Sequence, residues 1–126
     1  MTSIYDQIGG QEALTAVVDD FYDRVLADRE LAVYFAGANM PRLKGRQVEF
    51  FAKALGGPDH YEGQSMRDAH RGRGIGRQDF DRVATLLAES LNAAGVPGHL
   101  VDQIIAAIAP LAPEIVAPPK LAVPGD

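Results

Sequence analysis

The chain has 126 residues, 47 % hydrophobic and 23 % charged, with a formal net charge of -5 and no cysteine. That length suits one domain around one core, and the composition, with a mean hydropathy of -0.06, is that of an ordinary globular protein. Without cysteine there is no disulfide, thiolate nucleophile, iron–sulfur cluster or cysteine zinc site, and scattered basic residues on an acidic chain argue against nucleic acid as a partner.

No apolar run approaches the roughly 18 residues of a bilayer span, and Met1 to Gly10 lacks the basic-then-apolar order of a secretion signal. A cytoplasmic protein without a membrane span is therefore expected.

Thr2 or Ser3 can cap a short turn through Ile4, Tyr5 and Ile8 that Gly9 ends. After Gly9-Gly10, the residues Leu14, Val17, Val18, Phe21, Tyr22, Val25 and Leu26 recur at helical spacing and predict an amphipathic helix over 11–27. Asp28 can then cap a brief segment carrying Leu31, Tyr34 and Phe35 before the flexible Ala36-Gly37-Ala38. Asn39 with Pro41 opens a further helix to about Leu55, whose inward stripe is read as Leu43, Gln47, Phe50, Phe51 and Ala54, and Gly56-Gly57-Pro58 stops it.

The stretch to Gly76 is glycine-rich, with room for one or two helical turns around 65–69. Two helices are predicted beyond it, at about 77–94, with Phe80, Val83, Leu87 and Leu91 on one face, and at about 99–116, with Leu100, Ile104, Ile108, Leu111 and Ile115. Pro110 and Pro113 should kink or fray the last helix. Residues 1–117 are read as the domain and 118–126 as a proline-containing flexible tail. No segment alternates with strand period, so the fold class is all-α.

Gln47 interrupts an apolar face, so its amide is either buried beside a partner or turned into a cavity. Tyr22 brings a hydroxyl to the inward face of the first long helix, with the same two options; the pair can simply satisfy one another. His70 precedes Arg71-Gly72-Arg73-Gly74-Ile75, where an isolated histidine reads as an exposed loop residue, as do His60 and His99. No two of these histidines have the spacing that puts both on one helix face, so they do not form a zinc site.

Taken in order, Ile4-Tyr5-Asp6-Gln7-Ile8-Gly9-Gly10, Asp20-Phe21-Tyr22, Tyr34-Phe35, Leu43-Lys44-Gly45-Arg46-Gln47-Val48-Glu49-Phe50-Phe51, Leu55-Gly56-Gly57-Pro58 and His70-Arg71-Gly72-Arg73-Gly74-Ile75 resemble the truncated haemoglobins of group I. The resemblance runs almost the full chain. It implies a truncated-globin, two-over-two helical sandwich enclosing haem b, iron protoporphyrin IX. By the same resemblance His70 is the proximal iron ligand, Tyr22 and Gln47 are the distal hydrogen-bonding pair, and Phe35 packs on the macrocycle.

Leu43 matches the place where many other globins carry a distal histidine, Phe51 an aromatic that lines or gates an apolar tunnel, and Arg46 a residue within reach of a haem propionate. Val83 stands where groups II and III typically carry tryptophan, which this chain lacks. The resemblance implies binding of oxygen and other diatomic ligands, and conversion of nitric oxide to nitrate with help from an external reductase. The alternative is a non-enzymatic oxygen binder, store or ligand sensor, and a reading from a different class is a helical protein-interaction domain without haem. Val18, Leu43, Phe51 and Val83 are expected to form the apolar wall of the ligand pocket.

Overall fold

The computed structural model of the chain describes residues 2–59 and 75–111. Ser3 accepts a hydrogen bond from the backbone N–H of Asp6 and so starts α1, Ile4–Ile8, which Gly9 ends in the left-handed region at φ 113°. The same glycine turns the chain directly into α2, Gly10–Ala27. Asp28 caps α3, Arg29–Ala32, through the N–H groups of Glu30 and Leu31, and a 3-10 turn over Val33–Phe35 follows. Asn39 caps α4, Met40–Ala54, through the N–H of Arg42, with Pro41 in the first turn where no backbone donor is needed.

Beyond the segment 60–74 lie α5, Arg77–Ala93, and α6, Gly98–Ile108. The last helix was expected over 99–116; it tightens into a 3-10 turn at Ala109–Leu111, because Pro110 has no N–H to continue the α ladder. Pro113 and the tail lie outside the described residues, as do the predicted turn at 65–69, His60 and His70. No strand occurs among the described residues.

Helix α2 is the centre of the molecule. Its Leu14, Val17, Val18, Phe21, Tyr22 and Val25 are all buried, whereas Leu26, expected on the same face, is exposed, and α4 and α5 both lie along it while scarcely touching one another. Each such buried side chain contributes about 1.5–3 kcal/mol, and among the described residues no other helix buries as many apolar side chains. α6 packs on α5, and α1 spans from α2 to α6. The pair α2/α4 thus sits over the pair α5/α6.

Two corrections to the sequence-based faces have the same origin. On α4 the buried residues are Val48, Phe51 and Ala52, followed by Leu55, whereas Leu43, Gln47 and Phe50 are half-buried and Ala54 is exposed. The apolar stripe is wide enough to straddle two environments, and α2 takes only one flank. On α5, Leu86 and Ser90 are buried beside Leu87 and Leu91, while Val83 is half-buried.

The end of α4 shows why two glycines are needed. Gly56 adopts φ 85°, and the N–H groups of Gly56 and Gly57 return to the carbonyls of Lys53 and Ala52, closing the helix in a Schellman turn. Gly57 then lies flat under Tyr5: a Cβ there would come within 2.5 Å of the ring. The N–H of Tyr5 also bonds the carbonyl of Leu55, so α1 docks on the end of α4 through its buried aromatic.

Candidate functional site

Tyr22 and Gln47 project from α2 and α4, which lie against one another, and meet. The Tyr22 hydroxyl donates to Gln47 Oε1 at 3.3 Å. That is long for an O–H···O bond, whose usual length is about 2.7–2.8 Å, so the contact is slack enough to be exchanged for a better acceptor. Burial pushes the Tyr22 hydroxyl far above the ordinary tyrosine pKa, which keeps it a neutral donor. With its oxygen turned to the phenol, the Gln47 amide still carries two N–H donors.

Tyr22 is fixed by rings on two sides. Phe21 meets it edge-on at 4.8 Å between centroids, and Phe35, reaching from the 3-10 turn, meets it at 5.7 Å with an interplanar angle of 80°. Such geometry directs the phenol as well as burying it. Leu43 and Phe51 lie one turn before and after Gln47 on α4; Leu43 is half-buried, and Phe51 is buried and packs edge-on against Phe50 at 6.0 Å. Val83 on α5 is packed, half-buried, against the same core.

The structure therefore brings Tyr22, Gln47 and Phe35 together, with Leu43 and Phe51 flanking Gln47. Arg46 is exposed on α4, and His99 is exposed at the start of α6 as a surface residue. His70 lies outside the described residues. Val18, fully buried on α2 in the same core as Tyr22 and Phe51, also lines a groove of about 590 Å3 between α2 and α4, with Val48 and Ala52 beside it. Lys44 and Asp19 pair across its rim at 3.3 Å.

Sequence reasoning missed two contacts at the corner that carries Phe35. The Tyr34 hydroxyl donates to Asp79 Oδ2 at 2.6 Å, and Arg82 Nε donates to Asp28 Oδ2 at 2.7 Å. Their partners are 45 and 54 residues apart in the chain, a separation no local pattern reports.

The family model of the bacterial-like globins matches residues 3–117. The chain is similar to the group 1 truncated hemoglobin GlbN of Mycolicibacterium paratuberculosis, 61 % identical over 113 residues that cover 90 % of this chain and 83 % of that one. Among solved structures, the truncated hemoglobin of Tetrahymena pyriformis in its Fe(III) form superposes with a TM-score of 0.90 at 31 % identity, covering 93 % of this chain and all of that one (100 %). The 2/2 hemoglobin from Synechococcus, solved in the cyanomet state with covalently attached heme, does so with a TM-score of 0.86 at 30 % identity, covering 91 % and 98 %. Neighbours in sequence and in architecture agree with the helical pairing: the chain belongs to the bacterial-like globins, as a group I truncated haemoglobin of the two-over-two fold that binds haem and its diatomic ligands.

Proposed function

We propose that this protein holds haem b through His70 and uses Tyr22 and Gln47 to retain oxygen for conversion of nitric oxide to nitrate. The observation that carries the reading is the hydroxyl–amide pair, held at 3.3 Å beside Phe35 in otherwise apolar packing. The residues around it suit the group. Half-buried Phe35, Leu43, Phe50 and Val83 give apolar margin for a flat macrocycle, and exposed Arg46 is a cation available to a propionate.

Bound haem would supply the iron at which oxygen is held and the one electron with which oxygen and nitric oxide combine as nitrate, an external reductase restoring that electron. Tyr22, neutral and ring-clamped, donates its one hydrogen bond to the ligand in place of Gln47 Oε1, while the Gln47 amide donates from the other helix. Donation to an acceptor that gains negative charge is worth about 1.5–3 kcal/mol, or roughly one to two decades in dissociation rate. Leu43, Phe51 and Val83 keep water from the ligand and so oppose loss of oxygen as superoxide.

Two measurements test this. Haem added to the purified protein should give a Soret band that His70→Gly alters or abolishes; an unchanged spectrum in that variant removes the ligand assignment. Mixing the oxygenated protein with nitric oxide in stopped flow should yield nitrate at a rate far above that of oxygen loss. Slow or absent nitrate formation leaves a non-enzymatic oxygen binder, the reading that the same retaining pair otherwise supports.

A further inference from the structure

The corner between α2 and α4 has little to hold it in place. Leu31, 2 % exposed, is its deep anchor, and every side chain from Ala32 to Asn39 is half-buried or exposed, with Val33 at 68 %. Yet this corner carries Phe35, whose ring packs edge-on against Tyr22. Two bonds to the start of α5 supply the missing restraint. Tyr34 donates to Asp79 at 2.6 Å from one end of the corner, and Arg82 donates to Asp28 at 2.7 Å from the other.

These lengths are those of charge-assisted bonds. Asp79 and Arg82 are three residues apart on α5 and so share a face. Asp28 divides its carboxylate between two tasks, with Oδ1 capping α3 through Glu30 and Leu31 and Oδ2 receiving Arg82. Tyr34 and Phe35 are neighbours in one 3-10 turn, so fixing the phenol fixes the position from which the next ring projects. A continuous line of contact then runs from Asp79 through Tyr34, Phe35 and Tyr22 to Gln47.

We propose that Tyr34 and Asp79 are positioning residues for the Tyr22–Gln47 pair, acting through Phe35, with the Asp28–Arg82 bond securing the far end of the same corner. The inference rests on the reading of Tyr22 and Gln47 as the ligand-facing pair, and neither Tyr34 nor Asp79 touches the ligand. Coupling of this kind is carried by physical contact between packed groups, and each link here is a hydrogen bond, a ring contact or a shared turn.

The test uses the full chain as the ferrous carbon monoxide complex, in which the ring resonances of Tyr22 and Phe35 and the C–O stretching band are all observable. Tyr34→Phe and Asp79→Ala should each displace both ring resonances, shift or broaden the C–O band and raise oxygen dissociation about three- to ten-fold. The double variant should match the single ones, since both remove one bond. Asp79→Asn, which keeps an acceptor for the phenol, should stay near wild type. Variants that lose thermal stability while the ring resonances and the C–O band stay unmoved overturn the proposal, because a merely structural role predicts that pattern. Tyr22→Phe serves as the control on the underlying reading: if it leaves the band and the dissociation rate unchanged, the ligand-facing assignment fails, while the ring resonances of the haem-free protein still decide whether Tyr34 and Asp79 place Tyr22.

Discussion

A tyrosine hydroxyl has one proton, and that bounds what Tyr22 can do. It can donate to Gln47 or to a ligand, not to both, and the 3.3 Å contact shows it lightly engaged with the amide. Tyr22→Phe keeps the ring and its contacts with Phe21 and Phe35 but removes the donor, so oxygen dissociation from the haem protein should rise by roughly one to two decades, read by stopped-flow displacement. The phenols also impose an alkaline limit on stability. Burial raises the Tyr22 pKa and the hydrogen bond to the Asp79 carboxylate raises that of Tyr34, both from an ordinary 10.0. Below that value folded and unfolded chains are equally protonated and the stabilisation is fully present. As pH rises through it the unfolded chain ionises first, and stability falls until the folded groups ionise too. Urea unfolding at about pH 9 and about pH 11 should show this loss, and Tyr22→Phe should reduce it.

At the scale of elements, the reading from sequence was best where local chemistry decides. Ser3, Asp28 and Asn39 cap the helices they precede, and Gly9, Gly56 and Gly95 all take the left-handed conformation that ends one. It was weakest where a helix divides its surface between neighbours. The α4 stripe was legible as apolar, but which flank meets α2 depends on how the two helices cross, and periodicity is silent on that. Gly57 belongs to the same class: as the second of two glycines it read as punctuation, whereas the Tyr5 ring lying on it is a contact between distant segments. Gly57→Ala should cost about 1–3 kcal/mol in denaturant unfolding, because the added carbon forces the ring and α1 off the end of α4. No cost would mean that α1 moves without loss.

For the whole molecule, the cofactor is the largest lever on stability. A group that binds the folded chain alone stabilises it by mass action, about 2.7 kcal/mol when its free concentration is a hundred times the dissociation constant. Saturating haem should therefore raise the thermal midpoint measurably in wild type and much less in His70→Gly. The sequence by itself determined the helical class, the order and caps of the elements and, by the ordered set of family-like segments, the identity of Tyr22 and Gln47 as residues to watch. Those properties depend on neighbours a few positions apart, or on patterns that survive without coordinates. Only the tertiary structure decided that the two side chains meet, that Phe35 clamps one of them, and that Tyr34 and Asp28 are tied to Asp79 and Arg82 on α5. Such contacts join residues tens of positions apart. They exist because α4 and α5 both choose α2 as their packing surface, and the way those helices pack against one another is a property of the assembled core, written in no single segment.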